Sequence, residues 1–429
     1  MKILCTADIH IGRRSSRLTS LVGDERRFSA AQAWVDIVEL ALNQNIDLLL
    51  LAGDVVDQDN RYFEAYGPLE AGLRRLADNG VQTLAVAGNH DTDVLPRLAQ
   101  DLGSDSFRLL GAGGSWERHI IAPSGRPLLN IDGWSFPSRY VSHNPLVDYP
   151  GHEGNGAPVI VMLHADLDNA NSRYAPISQA DFERHEVDFW LLGHIHQSRQ
   201  AALSNGTHVL YPGSPLALDP GEKGAHGPWL LEMSDRSFRI EQLLLSRVRY
   251  EELTISLDGV ASETDFQTRI SNDLNAQLAV HIDDPVGLEA VCLRLKLVGR
   301  TNIPRQLRMK LGNQLIEDYR SNIGTAIVYV EKLEDEVRPD IDLHALARES
   351  SPPGILARLM LALESGELNQ EERDLLRTVQ AKLRDVHGAR PYLPLSAIDL
   401  APDEMAAQVY LRQAGWDLLN ALITQQESA

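Results

Sequence analysis

Over its first half the chain alternates short apolar runs with amphipathic stretches, and nearly every run ends in a polar cluster. Lys2 to Ala7 reads as a buried strand that gives way to Asp8-Ile9-His10. From Arg26 onward Phe28, Ala31, Val35, Val38 and Leu42 recur by threes and fours, the spacing of a helix face. A strand over Ile46 to Leu51 ends in Gly53-Asp54-Val55-Val56-Asp57, and Pro68 and Gly80 bracket a second helix. Gln82 to Ala87 then leads into Gly88-Asn89-His90-Asp91. A Gly-, Pro- and aromatic-rich stretch over 103–158 follows, with short strands expected near His119 and Leu128. Val159 to Leu163 runs into His164-Ala165-Asp166. After a helical stretch near Ser178 to Arg184, Asp188 to Leu192 ends in Gly193-His194-Ile195-His196. Thr207 to Leu210 closes on Tyr211-Pro212-Gly213-Ser214-Pro215, and Trp229 to Met233 and Ser237 to Leu245 read as antiparallel strands.

Strand, polar loop and helix in repeated succession predict an α/β fold built on one or two parallel sheets. In such sheets functional groups collect beyond the carboxyl ends of the strands, where each polar cluster falls here. The pattern shifts near Arg247. Strands over Tyr250 to Leu257, Glu289 to Val298 and Ile327 to Val330, with helices over Glu263 to Leu278 and Ile303 to Leu315, make a small α+β unit. Beyond Pro339 only helices are expected, over Ile355 to Leu363, Glu371 to Val386 and Asp403 to Ile423, with breaks at Pro352-Pro353 and Pro391 to Pro394. The domains expected are therefore 1–246, 247–337 and 338–429. The apolar stripes after Ile355 suit a small bundle core, or else a groove for a partner helix.

Composition narrows the class. The 429 residues are 43% hydrophobic and 23% charged, as in ordinary soluble proteins. No run reaches the length of a membrane span, and Met1-Lys2-Ile3-Leu4 enters a strand without a signal-peptide pattern, so a cytoplasmic location is expected. Cys5 and Cys292 fall in strands and read as core thiols. A net charge of -20 argues against holding nucleic acid through the overall field, yet leaves nucleic acid open as the substrate of a cationic centre.

The polar clusters supply that centre. Residues two apart on extended backbone share a face, so Asp8 and His10, and likewise His194 and His196, point together. With Asp54, Asn89 and His164 they offer two carboxylates, an amide and four imidazoles besides His90. Two metal ions about 3.5–4 Å apart need one bridging ligand, for which Asp54 is placed, and activate a shared water toward a phosphoester. His90 is left as general acid or phosphate-orienting group, with Asp91 expected to hold its ring. Asp57 reads as a brace for its loop. Arg13 and Arg14 read equally as phosphate contacts or solvated charge. Trp134, Phe136 and Tyr140 read as packing or loop anchors, with stacking on bases as the alternative.

In order and spacing, Asp8-x-His10, Gly53-Asp54-x-x-Asp57, Gly88-Asn89-His90-Asp91, His164 and Gly193-His194-x-His196 resemble the motif set of the calcineurin-like metallophosphoesterases, over about the first 215 residues. Asp8-Ile9-His10-Ile11-Gly12-Arg13, and Tyr211-Pro212-Gly213-Ser214-Pro215-Leu216-Ala217-Leu218-Asp219 followed by Gly221-Glu222-Lys223-Gly224, are similar to the SbcD and Mre-type nuclease subunits of that superfamily. The resemblance implies a four-layer α-β-β-α sandwich with a small α+β capping domain and a helical C-terminal region that grips an SMC-like ATPase of the SbcC or Rad type. It implies Asp8, His10, Asp54 and His196 on one ion and Asp54, Asn89, His164 and His194 on the other. His90 is then the catalytic histidine and manganese the metal. The implied activity is exonuclease action on DNA ends and endonuclease action on single strands, in DNA repair or recombination. Asp57 stands where some relatives carry a histidine, so that histidine's role does not transfer. The loop Gln58 to Tyr66 lacks a recognisable dimer contact, which leaves a homodimer as an expectation only. Two other functions fit the motifs: a phosphodiesterase or phosphatase of small molecules, and a non-catalytic adaptor of the ATPase. The long cap and tail weigh against the first, and the complete ligand set with His90 against the second.

Overall fold

The computed structural model describes residues 1–18, 25–57, 65–103, 107–151, 155–282, 287–389 and 401–427. Most of the Gln58 to Tyr66 loop and the whole Pro391 to Pro394 break lie outside them. The chain forms two compact units, the first Met1–Leu253 with Ala276–Leu295 and Gln314–Leu333, the second Thr254–Asn275 with Lys296–Asn313 and Glu334–Ala429.

In the first unit the expected alternation appears as β1 (Lys2–Thr6), α1 (Ala30–Asn43), β2 (Leu48–Ala52), α2 (Tyr66–Asp78), β3 (Gln82–Val86), α3 (Val94–Leu102) and β4 (Phe107–Leu109). The segment 107–211 continues with β5 (Trp116–Ile121), β6 (Leu129–Trp134), β7 (Val159–His164), the short β8 (Asp166–Leu167) and β9 (Pro176–Ile177), α4 (Gln179–Phe182), β10 (Phe189–Gly193), β11 (Arg199–Ala202) and β12 (His208–Tyr211). β13 (Trp229–Ser234) and β14 (Ser237–Gln242) complete two mixed six-stranded sheets, of order β14-β13-β1-β2-β3-β4 and β11-β12-β10-β7-β6-β5. β1 to β4 run parallel, as do β6, β7, β10 and β12.

Because successive side chains point to opposite faces, a strand buried on both sides must be apolar throughout. Leu48-Leu49-Leu50-Leu51 meets that demand. Leu49 and Leu51 join Leu4 and Ala85 against Trp34, Ile37, Leu69 and Leu73 of the helices. Leu48 and Leu50 join Ile3, Cys5 and Leu84 against Ile131, Ile160, Met162, Phe189 and Leu191 of the facing sheet. The outer face of the second sheet packs Val161, Trp190 and Leu192 against Trp134, Phe136, Tyr149 and Phe182. The four layers are thus helices, sheet, sheet and a thin outer cover built from α4, the 3-10 turn Pro145–Asp148 and connecting loops.

One helix face falls out of the expected phase. α1 buries Ala30, Ala33, Trp34, Ile37, Val38 and Ala41, while Val35 is 41% exposed. Phe28 belongs to a separate 3-10 turn, Glu25–Phe28, and the α-helix starts only after its N-cap Ser29, so counting from Phe28 shifts the stripe.

Farther on, β15 (Val248–Ser256), β16 (Ala290–Val298), β17 (Arg320–Ile323) and β18 (Ala326–Asp335) form a four-stranded sheet of order β15-β16-β18-β17, accompanied by α5 (Glu263–His281) and α6 (Arg305–Asp318). Within the first unit Val248, Tyr250, Ala290, Cys292 and Tyr329 pack with Phe28 and Ala217. In the second unit α7 (Leu343–Leu346), α8 (Pro352–Ser365) and α10 (Glu404–Glu427), with α9 (Gln370–His387) between the last two, build a small core of Leu343, Ala357, Met360, Trp416 and Leu419. Ile355, Met405, Val409 and Tyr410 on these helices remain exposed. No described helix is long and apolar enough to cross a membrane.

Two glycines of α2 make a paired test of the packing. A methyl at Gly72 meets the Trp34 indole, with Cζ2 at 2.9 Å, whereas one at Gly67 meets nothing within 4 Å. Gly67→Ala is expected to gain a few tenths to about 1 kcal/mol from helix propensity. Gly72→Ala is expected to lose about 1–3 kcal/mol through overpacking. Urea denaturation of the two variants checks the opposite signs.

Candidate metal centre

The polar clusters meet because adjacent strands of each sheet end together. Asp8 N–H donates to the Gly53 carbonyl at 3.0 Å, His10 N–H to that of Asp54 at 3.0 Å and Ile11 N–H to that of Val55 at 2.9 Å, which zips the loops after β1 and β2 side by side. Gly193 pairs with His164 at the ends of β10 and β7. The facing sheets close over these ends with no side chain between them. A Cβ on Gly193 falls on the Ala52 carbonyl and 2.6 Å from His164 Nδ1, and one on Gly88 falls on the Asp54 carboxylate. Asp8, His10, Asp54 and His194 hold φ of 52°, 53°, 50° and 101°, a left-handed region that non-glycine residues seldom occupy.

The donors converge. Ligand atoms of Asp8, His10 and His196 lie within 4.8 Å of one another, as do those of Asp8, Asp54 and His164 and those of His10, Asp57 and His90. Asp8, His10, Asp54, Asn89 and His164 are all buried. His164 Nε2 lies 3.3 Å from Asp54 Oδ2 and 3.2 Å from Asn89 Oδ1. The His194 ring is 5.2 Å from that of His164, and its backbone N–H donates to the Asp8 carboxylate at 3.1 Å. The His90 N–H donates to Asp54 Oδ1 at 2.8 Å, hanging the third loop on the same carboxylate.

Whether these residues suit metal ions is decided by their lone pairs. His164 Nδ1 sits 3.1 Å from the Ala52 carbonyl, which can only accept, so Nδ1 carries the proton and Nε2 offers its lone pair. His196 Nδ1 is likewise committed to Glu222 Oε1 at 2.6 Å, leaving its Nε2 facing His10 Nε2 at 3.1 Å. Two imidazole nitrogens aimed at one point ask for a cation. Electrostatics agree. Burial depresses His164, but Asp54 and Asp8 outweigh it and raise the ring to about 9. Burial, then the charge of His164, pushes His194 down to about 3, which keeps it a neutral donor. The site therefore fits the two-ion centre that its donors predict.

Two residues depart from expectation. Asp91 does not hold the His90 ring. Its carboxylate accepts from the N–H groups of Val55 at 2.7 Å and Gly88 at 2.8 Å, and so pins the second and third loops from beneath. Asp57 faces the rings instead, with Oδ1 3.3 Å from His10 Nδ1 and 3.4 Å from His90 Nδ1. Glu222 was not singled out by its chemistry, although its Gly221-Glu222-Lys223-Gly224 turn stood out as a motif. It is 7% exposed and accepts from Leu218 N–H at 2.7 Å while orienting His196. Trp134 and Phe136 are core, whereas Tyr140 is 47% exposed.

Partners that orient a ligating histidine typically matter 10–100-fold for metal affinity. Glu222→Ala is accordingly expected to weaken manganese binding by roughly that factor at one of two sites. Calorimetric titration separates the two: unchanged isotherms would mean that Glu222 is only a turn residue.

Comparison with known proteins accords with this geometry. Residues 1–198 match the calcineurin-like phosphoesterases, and residues 250–338 match the middle domain of the metallophosphoesterase YhaO. The chain is 26% identical to the metallophosphoesterase YhaO of Bacillus subtilis, over 53% of this chain and 55% of that one. It is 20% identical to the DNA double-strand break repair protein Mre11 of Sulfolobus acidocaldarius, over 76% and 86%. It is 25% identical to SbcD of the SbcCD nuclease of B. subtilis, over 52% and 64%. The chain thus spans less than two thirds of the length of two of these three relatives. Through its first 198 residues, which hold all seven expected ligands, the chain is a member of the calcineurin-like phosphoesterases.

Proposed function

We propose that this protein is a two-metal phosphodiesterase that acts as a DNA nuclease, on ends and on single strands, in DNA repair or recombination. The observation that carries the reading is the gathering of Asp8, His10, Asp54, Asn89, His164, His194 and His196 at one point with His90 at its rim, 29% exposed. In the proposed division Asp8, His10, Asp54 and His196 hold one manganese ion, and Asp54, Asn89, His164 and His194 the other. When bound, such a pair supplies a hydroxide nucleophile and neutralises phosphoryl charge. Asp57 fixes the tautomer of His90, which donates a proton to the leaving oxygen or holds a phosphoryl oxygen. Asp91 acts through the loops it pins and is a positioning residue.

The printed names of the Mre11 and SbcCD relatives support DNA as substrate and an SbcC- or Rad-type ATPase as partner. We assign residues 247–337 to the cap and 338–429 to that partner, whose basic surface would supply the DNA affinity that a chain of net charge -20 lacks. The proposed location is the cytoplasm. A homodimer is compatible with the reading and plays no part in it. A second reading, hydrolysis of smaller phosphodiesters, is favoured by the YhaO likeness, which extends through the cap.

Assays with manganese on end-labelled DNA, bis(4-nitrophenyl) phosphate and a cyclic nucleotide separate the two readings. DNA cleavage with the highest kcat/KM is expected, and cleavage of small esters alone would establish the second reading. His90→Ala is expected to keep two bound ions and to lose about 10²- to 10⁴-fold in rate. Cleavage at the parent rate would remove His90 from the mechanism. The isolated chain is expected to bind blunt duplex weakly, and tight, salt-sensitive binding would count against a partner-supplied surface.

A further inference from the structure

An exposed aromatic and cationic cluster adjoins the metal centre. The guanidinium carbons of Arg139 and Arg173 lie 5.4 and 5.1 Å from the centre of the Tyr140 ring. Tyr174 lies 5.9 Å from Tyr140, ring to ring, and 5.0 Å from His194. One ring therefore separates Tyr140 from an expected metal ligand.

The cluster is held in place by backbone. Val141 N–H donates to the Arg173 carbonyl at 2.8 Å, Ala175 N–H to that of Val141 at 2.7 Å and Asp166 N–H to that of Tyr174 at 3.0 Å. Ala175 keeps a left-handed φ of 48° in this arrangement, and β8 pairs with β9 on either side of it. Among the described residues no carboxylate lies within 4.0 Å of either guanidinium. In a chain with 60 acidic and 40 basic residues, two exposed arginines without acidic partners are a place kept for an external anion.

The combination specifies that anion. A tyrosine face attracts and orients guanidinium groups, whose planar forks match phosphate. The same face, and the guanidinium planes, stack on nucleobases, which present their own faces only when unpaired. We propose that Arg139, Tyr140 and Arg173 form a platform that grips an unpaired nucleotide of the strand whose phosphodiester enters the metal centre. This rests on the phosphodiesterase reading above and goes beyond it by naming the residues that select single-stranded nucleic acid.

Fluorescence anisotropy with a labelled phosphorothioate oligothymidylate and a blunt duplex, both in manganese, tests the platform. Tyr140→Ala is expected to weaken strand binding roughly five- to hundredfold with an unchanged salt slope, while Tyr140→Phe keeps parent affinity. Arg139→Gln with Arg173→Gln is expected to flatten the plot of log affinity against log salt by about 1.4, since single strands release about 0.7 counterion per neutralised phosphate. Duplex binding should follow neither change. The proposal is overturned if the parent binds no strand, if Tyr140→Ala binds like the parent, if the salt slope does not move, or if strand and duplex weaken together. Hydrolysis assays of the parent distinguish the two failures. Cleavage without Tyr140 dependence sinks the platform alone, and Tyr140-dependent binding without cleavage of any phosphodiester sinks the enzymatic reading alone.

Discussion

The metal centre depends on two sheets meeting, carboxyl end to carboxyl end, with nothing but backbone between them. Gly193 and Gly88 mark the places of closest approach, one against the Ala52 carbonyl and the other against the Asp54 carboxylate. A single β-carbon at either would drive the strand ends apart by more than the tolerance of a coordination sphere. The apolar runs behind them enforce the approach, because Leu48, Leu50, Ile160 and Leu191 bury their faces only if the sheets close. Core and chemistry are therefore one constraint: the packing of the sandwich sets the distance across which the donors converge.

That relation explains how much of the site could be read from the chain. Asp8 with His10, and His194 with His196, follow buried strands at a spacing of two, and that spacing survives folding because strand ends are stiff. Asn89 and Asp54 carry the same signal from glycine-led turns. The expectation failed where neighbours in sequence are not neighbours in space. Asp91 adjoins His90 along the chain, but the turn sends its carboxylate beneath the loop to two backbone donors. Asp57, thirty-three residues earlier by numbering, takes the place beside the ring. Glu222 reaches His196 across twenty-six positions, and no periodicity encodes a contact of that kind. The phase of α1 was lost for a different reason, a 3-10 turn that counts residues at another pitch.

Tyr250 and Tyr329 connect the capping strands to the same centre. Their hydroxyls donate to the carbonyls of Ser16 and Arg17, in the loop that begins just past the ligand His10. The first-unit parts of β15 and β18 thus belong to the foundations of the ligand loop. This gives the cap a structural role in the phosphoesterase domain that does not depend on what it binds.

Four metal ligands sit in left-handed backbone, a conformation costing on the order of 1–3 kcal/mol for each such residue. The folded chain carries that cost whether or not ions are present, whereas the unfolded chain does not. Ions that bind only the folded arrangement would lower its free energy by an amount set by their concentration and affinity. Metal supply would then govern how long this protein survives in a cell as well as how fast it works. A shortage would be felt first as turnover of the chain, before any limit on catalysis.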